Sequence, residues 1–195
     1  TDKPGDDRLF FKEREPNSLP KLYLLYTLTG APVNGLGLFE YLEAFFENKI
    51  EYKTFAISES ATIKTNSGIT ITLDETINNL KGNEAAYDAL VFACGDAIIS
   101  LAENIDKAFW QDAFAVINTF NEQGKLLIGH CAGGLIFDKT GVTKGKKVAG
   151  HPYAQTAIAN GTPVDSEFVI DSNLYTAQTE NTLHLLIPEV VKALK

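Results

Sequence analysis

The stretch Gly124–Phe137, GKLLIGHCAGGLIF, decides the fold because its pattern changes at one residue, Cys131. The residues before it, KLLIGH, form a short apolar run that is typical of a buried strand. The residues after it, AGGLIF, fit the first turns of a helix. The segment Gly129–Gly133 also matches G-x-C-x-G, the nucleophile-elbow pattern with cysteine in place of serine. A strand, a tight turn and a helix in this order predict an α/β unit with a cysteine at its corner.

Similar patterns run along the rest of the chain and predict alternating strands and helices. Strands are predicted at 21–28, 50–58, 88–96, 125–130, 146–150, 168–171 and 174–178. Helices are predicted at 37–49, 106–123 and 181–194, besides the short one after Cys131, and the last helix is expected to bend at Pro188. Residues 61–76 predict a small β-hairpin turning at Asn66, Ser67 and Gly68. The alternation predicts an α/β domain with a mainly parallel sheet and helices on both faces.

In the first helix, the apolar side chains expected to share one face are Leu38, Leu42, Phe45 and Phe46. The second long helix is expected to end at Gly124, a residue that commonly follows a helix C-terminus.

Composition limits the classes of protein that fit. A chain of 195 residues with 45% hydrophobic and 22% charged residues is expected to fold as one domain, over residues 21–195. Residues 1–20 are polar and rich in proline, which predicts a surface arm. The net charge of −8 argues against a nucleic-acid partner, and no apolar run reaches the roughly 20 residues that span a membrane.

The two cysteines favour a reducing compartment, so a cytoplasmic location is expected. The chain begins at Thr1, and a removed targeting segment remains compatible with that start.

Chemistry is expected at Cys131 because sites in open α/β sheets form beyond the carboxyl ends of the strands. A thiol at a helix N-terminus is favoured as the thiolate. The Ala132 N–H is the first candidate for an oxyanion site, and the turn at Gly95 offers a second. The alternative interpretation is a buried cysteine that only packs.

Three stretches resemble the DJ-1/PfpI (ThiJ) superfamily, relatives of class I glutamine amidotransferases: residues 87–96, 124–152 and 174–194. The second combines the elbow cysteine with a His-Pro pair, His151-Pro152, after the following strand. The resemblance implies a flavodoxin-like three-layer sandwich, usually a dimer, with Cys131 as nucleophile and no cofactor. It implies that His151 is a base or hydrogen-bond donor, although a polar cap at a strand end is the alternative. It further implies that Gly95 and Ala132 form the oxyanion site.

The sequence departs from the family pattern where a Glu or Asp usually follows the first strand. One alignment puts Asn34 at that position and another puts Gly37 there. Asn34 can donate or accept a hydrogen bond but cannot shuttle a proton at neutral pH. Glu40 is the nearest acid, and a solvated surface charge is the alternative interpretation of it.

A second departure is Cys94, in a turn where the family normally has two glycines. A redox pair between Cys94 and Cys131 is one interpretation, and simple packing of Cys94 is the other.

The remaining histidines and glycines do not indicate a cofactor or a metal. His130 is expected to point to the opposite face from Cys131, and both it and His184 are interpreted as structural. The histidines are dispersed, which argues against zinc, and neither GxxxxGK[ST] nor G-x-G-x-x-G occurs.

Three functions fit these observations. The first is a cysteine-dependent hydrolase or lyase acting on a small carbonyl or amide-like substrate through Cys131. The second is a non-enzymatic redox or stress-response protein in which Cys131 is oxidised. The third is a family scaffold that has lost catalysis along with the usual acid. Only the first predicts turnover that disappears in Cys131→Ser and falls sharply in His151→Ala.

Overall fold

The structure, a computed structural model, describes residues 23–27, 34–93 and 97–195. Its strands are β1 (Tyr23–Thr27), β2 (Lys53–Ile57), β3 (Thr62–Lys64), β4 (Thr70–Thr72), β5 (Glu75–Thr76), β6 (Ala89–Phe92), β7 (Leu126–His130), β8 (Lys147–Val148), β9 (Thr162–Pro163), β10 (Phe168–Asp171) and β11 (Leu174–Ala177). Its α-helices are α1 (Gly35–Glu47), α2 (Ala97–Asn104), α3 (Ala108–Glu122), α4 (Gly133–Lys139), α5 (Pro152–Gln155) and α6 (Leu183–Leu194).

Seven strands form the main sheet in the order β10-β11-β7-β6-β1-β2-β5. Only β10, at one edge, pairs antiparallel among the described strands of this sheet. The parallel strands β1, β2, β6, β7 and β11, taken in chain order, lie side by side as 2-1-3-4-5. This is the flavodoxin-like arrangement, in which ligands bind at the carboxyl ends of the strands near the point where strand order reverses. The predicted α/β sandwich with a mainly parallel sheet is confirmed.

Helices cover both faces of the sheet. On one face, α1 and α6 pack against each other and bury Leu38, Tyr41 and Phe45 with Leu186 and Val190. On the other, α3 packs against β2, β6 and β7. There the rings of Phe92 and Trp110 stack with centroids 6.4 Å apart. Because successive side chains of a strand point to opposite faces of the sheet, each strand packs against the helices on both faces.

The buried face of α1 differs from the predicted one. Leu38 and Phe45 are buried and Leu42 is partly buried, but Phe46 is 67% exposed. Tyr41 is fully buried instead, because positions 38, 41 and 45 align along one side of a helix with 3.6 residues per turn. The prediction for Phe46 was wrong.

The other predicted elements occur with shifted ends. Residues 62–72 form the predicted hairpin of β3 and β4, which pair antiparallel. Helix α3 ends before Gly124, whose φ of 67° is a left-handed conformation that glycine adopts without strain. Pro188 lies inside α6. Helices α2 and α5 were not predicted. The predicted arm at residues 1–20 lies outside the described residues.

Candidate active site

Cys131 follows β7 with φ of 52°, the left-handed region that side chains with a β-carbon rarely adopt. Its backbone N donates a hydrogen bond to the carbonyl of Ala177, 3.2 Å away at the end of the neighbouring β11. The residue is partly exposed. The strained backbone therefore presents a thiol at the carboxyl edge of the sheet, as a nucleophile elbow does.

Small residues are required on both sides of the elbow. A β-carbon added to Gly129 would lie 2.9 Å from Cε2 of Phe137, in α4. One added to Gly134 would lie 2.9 Å from the carbonyl oxygen of Ala149. Such separations are shorter than van der Waals contact, so any side chain there would push α4 away from the sheet.

Of the two predicted oxyanion residues, Ala132 is among the described residues and Gly95 is not. Ala132 is the N-cap residue of α4 and is buried, so its amide belongs to the group of N–H donors at the start of that helix. Gly95 and Cys94 lie outside the described residues, so the second oxyanion donor and the Cys94–Cys131 pair remain predictions.

His151 lies next to the elbow and caps α5. Its backbone N donates to the carbonyl of Cys131 at 3.3 Å. Its Nδ1 accepts a hydrogen bond from the backbone N of Tyr153 at 3.3 Å, and the two rings stack with centroids 5.3 Å apart. Since Nδ1 is occupied as an acceptor, the proton of the neutral ring belongs on Nε2. This favours a hydrogen-bond donor over a base.

The residues considered for the missing acid have different surroundings. Asn34 caps α1, and its Oδ1 accepts from the backbone N of Leu36 at 3.0 Å. Gly37 is buried within α1. Glu40 is partly buried, its Oε2 has no hydrogen-bond partner among the described residues, and burial raises the pKa of its carboxyl. Glu40 therefore is not a fully solvated surface charge.

Glu180 is an acid at this edge of the sheet that the sequence analysis did not single out. Its Oε1 lies 3.4 Å from Nε2 of the fully buried His130. The two atoms are in contact but form no hydrogen bond, and within the described part of the chain both ring nitrogens of His130 lack a hydrogen-bond partner. Burial alone would raise the pKa of the Glu180 carboxyl, but its contact with the His130 imidazole holds that pKa below its ordinary value.

A signal for Glu180 exists in the sequence. It comes three residues after the strand Leu174–Ala177, at the same sheet edge as Cys131, in a turn where Thr179 and Thr182 cap each other reciprocally. His184 lies elsewhere, on the exposed side of α6, where Nδ1 is 2.9 Å from the carbonyl of Asn181.

In residues 23–27, 34–93 and 97–195, no group of three or more His, Cys, Asp or Glu side chains is arranged to hold a metal ion. Across those same ranges, no helix is both long and apolar enough to cross a membrane.

Comparison with known proteins identifies the family. The DJ-1/PfpI family matches residues 26–193, so the chain belongs to this family. The protein ppBat of Bacteroides thetaiotaomicron is 55% identical over 164 residues, which cover 84% of this chain and 94% of that protein. A crystal structure described as a "putative protease I" from the same organism superposes with a TM-score of 0.86 at 52% identity, covering 90% of this chain and 99% of that one.

More distant structures share the fold. A DJ-1 superfamily protein from Salmonella typhimurium superposes with a TM-score of 0.77 at 20% identity, covering 90% of each chain. Drosophila melanogaster DJ-1beta gives a TM-score of 0.77 at 15% identity and covers 91% of each chain.

Proposed function

We propose that this protein is a cysteine-dependent hydrolase or lyase of the DJ-1/PfpI family that acts on a small carbonyl or amide-like substrate. The observation that carries the proposal is the left-handed backbone of Cys131, a partly exposed residue at the carboxyl edge of the sheet. Left-handed backbone at a residue with a β-carbon costs about 1 kcal/mol or more, and such strain is concentrated at functional sites. A relative whose structure is described as a "putative protease I" supports hydrolytic chemistry.

Each proposed residue has a role that fits its surroundings. The thiolate of Cys131 attacks the electrophilic carbon and forms a bond to it while the π electrons of the carbonyl move to oxygen. The amide of Ala132, together with that of Gly95, donates hydrogen bonds to the resulting oxyanion. His151 donates a hydrogen bond from Nε2, because its Nδ1 is engaged by Tyr153.

The redox alternative uses the same thiol, and the location of Cys131 supports it equally: an activated, accessible thiolate is also the form that peroxide oxidises to sulfenic acid. The two functions differ in their products. The enzyme turns over a substrate, whereas the redox protein gains mass on Cys131 after peroxide treatment without turnover.

The deciding experiment is the pH dependence of Cys131 alkylation by iodoacetamide, followed by peptide mass spectrometry. We expect an apparent pKa for the thiol well below the free value of about 8.5, because of the elbow and the helix N-terminus. Cys131→Ala is the control for labelling elsewhere. A thiol that titrates at or above 8.5, or that resists labelling in the folded protein, would make Cys131 a structural residue.

A substrate screen follows if the thiol is activated. Turnover of small amides, esters or dicarbonyls is expected to vanish in Cys131→Ser and to fall at least tenfold in His151→Ala. Turnover that survives in Cys131→Ser would defeat the proposal.

We also infer a cytoplasmic homodimer acting on a small-molecule substrate, with residues 1–20 as an arm outside the domain. Exposed apolar side chains on α1, Phe39 and Phe46, support an interface between copies. Light scattering after size exclusion at several concentrations measures the mass directly. A mass of 21.3 kDa, that of one chain, at every concentration would refute the dimer.

A further inference from the structure

A buried imidazole and a carboxylate lie side by side next to the elbow. His130, the residue before Cys131, has a fully buried side chain, and the side chain of Glu180 next to it is 13% exposed. Charged side chains leave water at a high cost unless a partner compensates them. The contact at 3.4 Å between Oε1 of Glu180 and Nε2 of His130 therefore offsets part of the cost of burying the carboxylate.

The pairing of strands β7 and β11 places His130 and Glu180 at the same sheet edge as Cys131. Strands β7 and β11 are neighbours, with His130 opposite Ala177. The backbone of Cys131 bonds to Ala177, and Glu180 follows three residues later. The backbone N of His151 donates to the carbonyl of Cys131 from the other side of the elbow. The Glu180 carboxylate thus lies next to His130, the residue that precedes the thiol.

Helix α1 leaves room for this pair by carrying a glycine. A β-carbon added to Gly37 would lie 2.5 Å from Nε2 of His130 and 3.6 Å from Cγ of Glu180. The imidazole fills the space that a side chain from residue 37 would take, and no residue larger than glycine is compatible with it. Residue 37 therefore cannot supply a carboxylate at this place, and Glu180 supplies one.

The role of His151 is restricted by a hydrogen bond that its ring already accepts. Nδ1 of His151 is occupied by the N–H of Tyr153, so this histidine is suited to donate. We propose that Glu180 is the positioning carboxylate of the Cys131 site, holding the buried imidazole of His130 in place and setting the negative charge that the thiol experiences. This inference rests on the proposed function, since it assigns a role within the same site.

The titratable groups around the pair come from several elements. Glu40 and Tyr41 interact with it from α1, and His151 interacts with it from the start of α5. Burial raises the pKa of Glu40 and that of Tyr41, which disfavours charge on both. Glu180 is therefore the acid of this group that is ionised most readily.

The test measures the thiol pKa of Cys131 by alkylation in Glu180→Gln, in Glu180→Asp and in the control Glu189→Gln. Glu189 is on the exposed side of α6, 3.9 Å from Lys192, so its substitution removes the same charge away from the site. An ionised carboxylate near a thiol disfavours the thiolate. Glu180→Gln is expected to lower the thiol pKa by roughly half to one unit, which means about three- to tenfold faster alkylation at pH values below it. Glu180→Asp is expected to stay near the wild-type value.

Two results would overturn the assignment. One is a thiol pKa in Glu180→Gln equal to that of the Glu189→Gln control. The other is a rise, which would mean that Glu180 holds a proton and donates it to the thiolate. If Glu180→Gln unfolds, as judged by circular dichroism, Glu180→Ala replaces it, with the same expected direction.

The test of Glu180 can be interpreted whether or not the proposed function is correct. The wild-type thiol pKa and turnover decide whether Cys131 is an activated nucleophile. The difference between the Glu180 and Glu189 variants reports on Glu180 even if the wild-type thiol titrates normally and no substrate turns over.

Discussion

Substitution of Asp138 is expected to loosen the helix that follows the elbow. Asp138 lies near the end of α4 and is 1% exposed. Its Oδ1 accepts from the hydroxyl of Thr143 at 2.5 Å and from the backbone N of Gly161 at 2.8 Å. Its Oδ2 accepts from the backbone N of Ala159 at 2.8 Å, and both oxygens reach the backbone N of Asn160. One carboxylate thus ties α4 to the 159–161 segment.

Asp138→Asn keeps the shape but places an NH2 group where one oxygen was. If Oδ1 keeps its bonds to Thr143 and Gly161, the new NH2 faces the N–H of Ala159, and two donors meet in a buried site. A hydrogen bond to a charged group is worth about 1.5–3 kcal/mol, and an unsatisfied buried donor costs a similar amount. We expect a loss of about 3 kcal/mol in the free energy of unfolding, or about 6–12 °C in Tm for a chain of this size.

The assay is urea denaturation of Asp138→Asn beside Asp112→Asn. Asp112 bonds Lys81 at 2.7 Å near the surface, and an exposed pair of this kind contributes about 0–1 kcal/mol. A difference between the two variants of less than 1 kcal/mol would refute the reasoning.

The effect of Asp138 also depends on pH. Burial alone would raise the pKa of its carboxyl, but the bonds from Thr143 and from the amides of residues 159–161 hold it below its ordinary value. A carboxyl whose pKa is lower in the folded state stabilises the protein above its unfolded pKa of about 3.9, and this contribution disappears as pH falls through the folded pKa. The difference between wild type and Asp138→Asn is therefore expected to shrink between pH 5 and pH 3.

Three further predictions concern packing and strain. The free energy of unfolding of Cys131→Gly is expected to be about 1 kcal/mol higher than that of Cys131→Ala, because glycine adopts a φ of 52° freely. Equal thermal stability of the two variants would argue against strain at this residue. Gly129→Ala is expected to cost about 1–3 kcal/mol, while Gly133→Ala, whose added β-carbon meets no atom closer than 3.7 Å, is expected to be nearly neutral; equal urea midpoints would contradict this. Phe45→Ala is expected to cost about 3–5 kcal/mol and Phe46→Ala under about 0.5 kcal/mol, so similar losses of Tm would restore the original assignment of the buried face.

The strongest local patterns in the sequence predicted most of the fold. The apolar runs before Cys94 and before Cys131 are buried strands because parallel strands covered by helices on both faces carry apolar side chains in both directions. Helix α3 was predicted within two residues at each end, since Gly124 marks its end and its apolar spacing is regular. These features depend on neighbours in the chain, which is why one sequence reveals them.

Features that depend on distant residues were predicted less well. The sequence analysis placed Phe46 on the buried face of α1 and did not include Tyr41, whereas Tyr41 is the residue buried where α1 packs against α6. Helix α5 has four residues and starts at Pro152, which is too short for a periodic pattern. The pairing of His130 with Glu180 joins residues fifty positions apart, and only the register of β7 with β11 brings them together.

The two edges of the sheet influence how this protein associates with its own copies. At one edge, β5 has only two residues, and Glu75 within it is paired with Lys53 of β2. At the other, β10 runs antiparallel, ends at Asp171 and packs beside β8. Short, charged or covered edges offer little backbone for another strand to pair with. Concentrated solutions of the folded protein are thus expected to resist growth into extended β-aggregates, and association is left to the helical faces.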